Sequence, residues 1–97
     1  MLALVSEFLG TFFFLSAVLV SGKAIPIVIT LLAAIFVFGA FSGAHFNSAI
    51  TVMMMVAKKI SVPVGLMYIV AQILGGLSAL VFYNLSSGYV IAPVISL

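Results

Sequence analysis

Residues 42–51, Ser-Gly-Ala-His-Phe-Asn-Ser-Ala-Ile-Thr, interrupt an otherwise apolar chain with small and polar side chains. Lipid tolerates irregular backbone only where protein buries it or where it lines a water-filled cavity. The segment is therefore either a loop in water or a re-entrant turn that faces a pore. The residues on both sides of it decide between these two possibilities.

The composition is that of an integral membrane protein. Of 97 residues, 67% are hydrophobic and 4% are charged, whereas soluble domains carry about a quarter charged residues. A soluble fold of this composition would expose large apolar patches and aggregate. The net charge of +2 is too small to attract nucleic acid, and the absence of cysteine excludes disulfides and thiolate metal sites. We therefore expect a multi-pass protein of the cell membrane.

Three apolar runs are long enough to cross a bilayer, which takes about 20 residues. They cover about residues 2–21, 25–41 and 62–85. Proline at positions 26 and 63 suits the first turn of the second and third of these helices. The apolar tail at 89–97 is too short to cross.

The segment after the polar interruption is a half-length helix. Residues 49–57 are apolar, but at about 1.5 Å per residue a helix of that length reaches less than halfway across a membrane. The sequence therefore predicts an all-α membrane protein with one domain over residues 1–97. It has three transmembrane helices and, at about 42–57, a re-entrant loop followed by the half-helix.

Small residues recur at four-residue spacing in two places. Ala71, Gly75 and Ala79 form a stripe on the third span, and Gly39 and Gly43 form a pair at the end of the second. Such spacing allows the backbones of two helices to approach closely in lipid. Small residues are also simply frequent in membrane helices, so both readings are open for the pair, and the three-member stripe is the stronger case for a helix contact.

Glu7 is the only acidic residue, and it lies inside the first span. An ionisable group at such depth costs roughly 2.5–3.5 kcal/mol on insertion scales, so a role for it is expected. Three roles are open at this point. Glu7 can be a proton or cation site, a structural acceptor for backbone N–H groups of an irregular segment, or a side chain that reaches back to the interface.

His45 is the only histidine, and no other metal-ligating side chain follows it closely. A metal site would lack ligands, and acid–base catalysis would lack a partner. We therefore expect no metal, no cofactor and no enzymatic activity. His45 is expected either to pin the loop by a hydrogen bond or to offer a ring nitrogen or its carbonyl to a passing solute.

Asn47 stands where the half-helix begins, and asparagine is a good N-cap. If the segment dips into the membrane and returns, the positive end of the half-helix points toward the membrane interior. An amide donor beside a partial positive charge disfavours cations and protons. It favours a neutral solute that accepts hydrogen bonds.

Three segments together resemble the aquaporin, or major intrinsic protein, family. Residues 42–51 resemble its Ser-Gly-Ala-His-x-Asn-Pro-Ala-Val-Thr box. Residues 6–11, Ser-Glu-Phe-Leu-Gly-Thr, are similar to the opening of its first helix, and residues 71–76, Ala-Gln-Ile-Leu-Gly-Gly, to its third-helix signature. Three motifs in order along nearly the whole chain make the resemblance specific.

The resemblance implies a pore built from two inverted three-helix repeats whose half-helices meet at mid-membrane. This chain carries one repeat, so it resembles half of such a protein. The pore would then need a second chain inserted the opposite way, with such pairs grouped in a larger oligomer such as a tetramer of pores. Lys58 and Lys59 on one side against Lys23 on the other give a bias weak enough for dual insertion. The alternative is the first half of a longer protein.

The resemblance also assigns roles to residues. The pore and its central constriction would be formed by Gly43, Ala44, His45, Asn47, Ser48 and Ala49. Glu7 and Gln72 would be structural polar residues, with Glu7 accepting hydrogen bonds from the re-entrant backbone.

Two departures from the family pattern concern the pore. Ser48 replaces a proline, which loosens the turn, although serine caps helices well. In the family's narrow filter, an arginine follows immediately after the second Asn-Pro-Ala motif, and Ile50 stands at that place in this chain. The other filter positions would fall on Ile27 or Ile35 and on Ala44. The filter would then be apolar, which favours glycerol-like or other small neutral solutes beside water.

The sequence thus predicts a passive channel for water and small neutral solutes such as glycerol, formed by an antiparallel homodimer. A proton-coupled exporter of dual topology that uses Glu7 is the alternative. A non-transporting subunit that pairs with a different half is a third reading.

Overall fold

A computed structural model describes residues 1–87 of the protein. They form four helices: α1 (Leu2–Ser21), α2 (Ala24–Ser42), α3 (Ser48–Val56) and α4 (Val62–Ser87). Helices α1, α2 and α4 are long and apolar enough to cross a membrane, and α3, with 9 residues, is not. The predicted fold class, three spanning helices and one half-helix, is confirmed. The predicted tail at 89–97 lies outside the described residues.

Glycines in the left-handed region end the first two helices. Gly22 has a φ of 61° and Gly43 a φ of 87°. Their N–H groups donate to the carbonyls of Val18, at 3.0 Å, and Gly39, at 2.8 Å. Glycine is common at this position because it adopts positive φ without a Cβ clash. Of the two readings left open for Gly39 and Gly43, a helix contact does not hold for Gly43, which ends α2 and where a Cβ atom would meet only His45.

The stripe of small residues on α4 does form a helix contact. Helix α1 packs against α2 and against α4, and α3 packs against α4. At Gly75 a Cβ atom would lie 2.6 Å from the carbonyl oxygen of Phe8 and 3.2 Å from the amide nitrogen of Phe12. Ala71 and Ala79 are buried on the same stripe. The absence of a side chain at position 75 therefore sets the distance between α1 and α4.

The substitution Gly75→Ala should destabilise the protein. The added methyl group meets backbone atoms of α1, which cannot rotate away, so the helices must separate. We expect the free energy of unfolding to fall by about 1–3 kcal/mol, the usual effect of overpacking. Unfolding in mixed detergent micelles, followed by circular dichroism, measures this change.

The matched control is Gly39→Ala in α2, where the added Cβ would meet only Ala44 and Ile35 side-chain atoms at 3.6 and 3.8 Å. That substitution should be neutral, or stabilising by up to about 1 kcal/mol through helix propensity. Equal losses in the two variants would contradict a specific role for Gly75.

Candidate functional site

The loop between α2 and α3 is attached to α1 by Glu7. The Glu7 carboxylate is completely buried, at 0% exposure. One of its oxygens, Oε2, accepts hydrogen bonds from the Ser42 hydroxyl at 2.7 Å and the His45 amide at 3.1 Å. The other, Oε1, accepts from the Phe46 amide at 2.9 Å and from Gln72 Nε2 at 2.9 Å. Both oxygens thus act as acceptors for two donors each, as suits a carboxylate.

The loop backbone is bent so that these amides can face Glu7. Gly43 has a φ of 87°, Ala44 of 55° and Phe46 of 50°. Positive φ is uncommon in residues with a Cβ atom and costs of order 1–3 kcal/mol each. The hydrogen bonds that Glu7 accepts from His45 and Phe46 offset this cost, so the carboxylate and the loop conformation depend on each other.

The bend leaves the loop carbonyls available. In residues 1–87, no group donates a hydrogen bond to the carbonyl oxygens of residues 43–46, whereas the Ser42 carbonyl accepts one from the Tyr68 hydroxyl at 2.8 Å. Among the described residues, these four carbonyls are therefore acceptors without a donor.

Gln72 joins the loop, α3 and α1 in one network. Its Nε2 donates to Glu7 Oε1 and, at 2.9 Å, to Thr51 Oγ1. Its Oε1 accepts from the Ser48 hydroxyl at 3.1 Å. The carbonyl oxygen and both N–H bonds of the Gln72 amide are thus used, and the first turn of α3 is held against α4.

His45 is fixed inside the loop rather than extended from it. Its Nδ1 lies 2.8 Å from Thr51 Oγ1. Its ring lies on the ring of Tyr68, with centroids 5.0 Å apart and planes at 56°. Both side chains are buried. His45 therefore links the loop to α3 and to α4.

Asn47 forms the tip of the loop and the N-cap of α3. Its Oδ1 accepts from the amide of Ala49 at 2.7 Å and from that of Ile50 at 3.4 Å. The side chain is exposed, and no acceptor for its Nδ2 group occurs in residues 1–87. Because Asn47 Oδ1 is occupied by the two capping hydrogen bonds, the side chain presents its two N–H donors outward, beside the positive end of α3.

A cavity of about 400 Å³ lies beyond the loop tip, between α1 and α4. Its polar lining comes from Thr11, Asn47, Ser48 and Gln72. Apolar side chains and a glycine complete it: Phe14, Leu15, Phe46, Ile73, Gly76 and Leu77. The Thr11 hydroxyl is buried and has no hydrogen-bond partner within residues 1–87.

The four predicted filter residues lie at different levels. Ala44 belongs to the loop, and Ile50, 36% exposed, to the first turn of α3. Ile35, 43% exposed, precedes the end of α2 by seven residues, or about 10 Å. Ile27 is buried at 6% exposure and lies about 22 Å from that end. Ile35 therefore lies nearer the end of α2 that leads to Ala44 and Ile50, and Ile27 lies nearer the other end of α2.

Tyr68 and Thr51 are site residues that the sequence did not single out. Tyr68 lies four residues before Gln72 and so shares its helix face, which is the one signal that could have indicated it. Thr51 is buried at 0% exposure, and its hydroxyl contacts Gln72, His45 and the Asn47 carbonyl, the last at 3.3 Å.

Within residues 1–87, no three His, Cys, Asp or Glu side chains come together as a metal site would require.

The substitution Glu7→Gln should destabilise the loop. A glutamine amide has one oxygen and one NH₂ group, so two of the four donors around position 7 would face another donor. We expect the free energy of unfolding to fall by about 3 kcal/mol. Chemical unfolding in micelles measures the loss, and hydrogen exchange at the His45 and Phe46 amides locates it.

Ser16→Ala is the matched control, because the Ser16 oxygen lies in the same helix and is also buried, but has no partner within residues 1–87. Removing it should leave the free energy of unfolding unchanged or raise it, because a buried hydroxyl without a partner is unfavourable. Slow exchange of both amides in the Glu7→Gln variant would show that the carboxylate does not hold the loop.

Comparison with known proteins agrees with this geometry. The chain matches the sequence model of the family described as major intrinsic protein over residues 1–94. The glycerol uptake facilitator protein-like 6 of Lactiplantibacillus plantarum is 39% identical over 85 residues. The match covers 76% of this chain and 38% of that relative, so the chain spans well under half of the relative's length. No solved structure matches the chain. The chain is an integral membrane protein and belongs to the major intrinsic protein family.

Proposed function

We propose that the protein is a passive channel for water and small neutral solutes of the glycerol type, with each pore formed by two oppositely inserted copies. The observation that carries this proposal is the Asn47 side chain, whose oxygen caps α3 and whose two N–H donors face outward. The family is one of channels, which confirms the expectation that the chain is not an enzyme.

The loop supplies both halves of a hydrogen-bonding path. The carbonyls of residues 43–46 are acceptors and Asn47 Nδ2 is a donor, and they follow one another along five residues. A hydroxyl-bearing solute can therefore exchange its water contacts for contacts with the loop. Because the donor stands at the positive end of α3, a cation at that point meets repulsion.

We propose a second copy because one chain provides only one loop tip and one wall of the path that a solute would follow. In residues 1–87, α2 and α4 lie against different parts of α1, and apart from the hydrogen bond from Tyr68 to the Ser42 carbonyl they do not pack against each other. Large apolar side chains of α2 remain exposed, such as Phe36 at 79%. A second copy inserted the opposite way supplies a second tip, and the weak lysine bias permits that orientation.

The positions of the filter residues support the antiparallel arrangement. Inversion of a second copy about an axis near Asn47 brings its Ile27 to the level of Ala44 and Ile50 of the first copy. Each mouth of the pore then contains Ile35, Ala44 and Ile50 from one chain, while Ile27 of the other chain lies at the same level but is buried, at 6% exposure, within its own chain. Such a ring contains no hydrogen-bonding side chain, so solute size limits passage there more than polarity does.

The burial of Glu7 argues against the proton-coupled exporter. Its carboxylate is wholly enclosed, and each of its four hydrogen bonds comes from the same chain. A coupling site must exchange protons and substrate with water. The contacts of Glu7 therefore favour its role as the structural acceptor.

Asn47→Asp should change the selectivity of the channel. An aspartate can still cap α3, but it replaces the N–H donors with a negatively charged oxygen. We expect glycerol and water flux to fall and cation flux to appear. Stopped-flow light scattering of proteoliposomes after an osmotic step, together with a cation-sensitive dye inside the vesicles, measures both quantities.

The control is Asn84→Asp, which makes the same change at an exposed position near the end of α4. It should leave both fluxes at the level of the unchanged protein. The proposal is wrong if vesicles that contain folded, paired protein shrink no faster than empty vesicles.

Ile50→Ala should widen the mouth of the pore. Removing three carbon atoms from the apolar ring admits larger solutes, so we expect the flux of a four-carbon polyol to rise relative to that of glycerol. Val52→Ala, in the same helix but on the opposite face, should leave this ratio unchanged. An unchanged ratio in both variants would remove Ile50 from the filter.

A further inference from the structure

We propose that the groove between the start of α1 and the first half of α4 binds an acyl chain of an anionic phospholipid, whose phosphate lies at Lys58 and Lys59. The inference concerns the outer surface of a single chain and goes beyond the proposed channel. It assigns a partner, an anionic lipid of one leaflet, to the two lysines.

The groove runs along the outside of the contact between α1 and α4. Side chains from residues 4–9 of α1 and 66–74 of α4 line it, all of them are apolar, and its volume is about 650 Å³. Ala71, which is buried between the helices, forms its floor, whereas Met67 and Val70 are exposed and form its rim. A groove without a hydrogen-bonding side chain favours hydrocarbon over a polar ligand.

The length of the groove matches one leaflet of a bilayer. Between Leu66 and Leu74, helix α4 rises about 12 Å, at about 1.5 Å per residue. Half of the hydrocarbon core of a membrane measures about 15 Å. The groove begins one turn after Val62, the first residue of α4, and Lys58 and Lys59 directly precede that helix. A phospholipid with a chain in the groove therefore has its phosphate at the level of the two lysines.

Lys58 and Lys59 are cations without an acidic side chain to pair with in their own chain. The only acidic residue is Glu7, and its two oxygens already accept four hydrogen bonds. Both lysines are exposed, and together with Ser61 they line a hollow of about 440 Å³ that extends to Val62. Basic pockets beside transmembrane helices bind anionic lipid headgroups. A phosphate group therefore complements this hollow.

The backbone of the turn fixes the point from which both lysine side chains extend. Lys58 has a φ of 61°, in the left-handed region that residues with a Cβ atom rarely adopt. Its amide donates to the Met55 carbonyl at 3.1 Å, and the Lys59 amide donates to the Met54 carbonyl at 2.9 Å. Two ammonium groups are thus attached to one defined turn at the mouth of the groove.

The groove and the cavity beyond the loop tip lie on opposite flanks of α4. Met67 lines the groove, and Gly76 lines the cavity. These two positions are separated by nine residues, or about two and a half turns at 3.6 residues per turn, so they face opposite ways. A lipid in the groove therefore leaves the loop tip and its cavity accessible to the proposed second copy.

Tryptophan fluorescence tests the site, since the chain has no tryptophan of its own. Met67→Trp places a single reporter in the groove, and Val70→Trp is a second reporter there if the first variant does not fold. The chain is reconstituted in phosphatidylcholine that is brominated on its acyl chains, which quenches tryptophan on contact, with increasing amounts of unbrominated phosphatidylglycerol. We expect the recovery of fluorescence to show that the groove prefers phosphatidylglycerol about fivefold or more, the effect of one lysine near a membrane surface.

Two controls separate the charge from the groove. In the Met67→Trp chain, Lys58→Gln together with Lys59→Gln should abolish the preference, whereas Lys23→Gln, at the turn between α1 and α2, should leave it unchanged. The second control moves the reporter: Val56→Trp lies at the exposed end of α3, close to the lysines in sequence but outside the groove. That reporter should show no preference.

The outcomes that overturn this inference do not involve solute flux. Equal preference at Met67→Trp and Val56→Trp would show a general attraction of anionic lipid to the lysines and would reject the groove. A preference in the groove that survives the loss of both lysines would reject the phosphate contact, and no preference would reject both. Flux without lipid preference would still support the channel, and lipid preference without flux would support the groove and reject the channel.

Discussion

The loop of this protein depends on one buried carboxylate. Glu7 accepts two backbone and two side-chain hydrogen bonds, and without an acceptor at that point the amides of His45 and Phe46 would be unpaired in an apolar surrounding. The positive φ angles of Ala44 and Phe46 let these amides face Glu7, and the carbonyls of residues 43–46 have no donor among the described residues. In the proposed channel, these carbonyls are the acceptors for a solute.

The half-helix α3 also depends on side-chain hydrogen bonds to backbone groups that would otherwise be unpaired. Helix α3 cannot satisfy its first N–H groups internally, and the Asn47 oxygen accepts two of them. What remains of that side chain is a pair of donors. The network of Gln72, Thr51 and His45 keeps the start of α3 against α4, where Gly75 sets the distance to α1. Position, polarity and donor direction at the tip thus follow from contacts deeper in the bundle.

Much of this arrangement could be predicted from the sequence, and the rest could not for physical reasons. The lengths of the apolar runs predicted the three transmembrane helices and indicated that the helix after Asn47 is too short to cross a membrane. The resemblance to the family predicted that Glu7 accepts hydrogen bonds from the backbone of the loop. Tyr68 was missed because an aromatic residue in a membrane helix is ordinary, and its bond to the Ser42 carbonyl spans 26 positions. The role of Gly43 stayed open because spacing alone does not distinguish a helix contact from a helix end.

The central claim is that this chain works as an oppositely oriented pair, and the labelling of single cysteines tests it most directly. The turns that contain Lys23 and Lys59 lie at opposite ends of the bundle, and the chain has no natural cysteine. In intact cells, a membrane-impermeant maleimide should label a substantial fraction of the Lys23→Cys chains and also of the Lys59→Cys chains. Labelling of one position in nearly all chains, with none at the other, would show a single orientation and contradict the account.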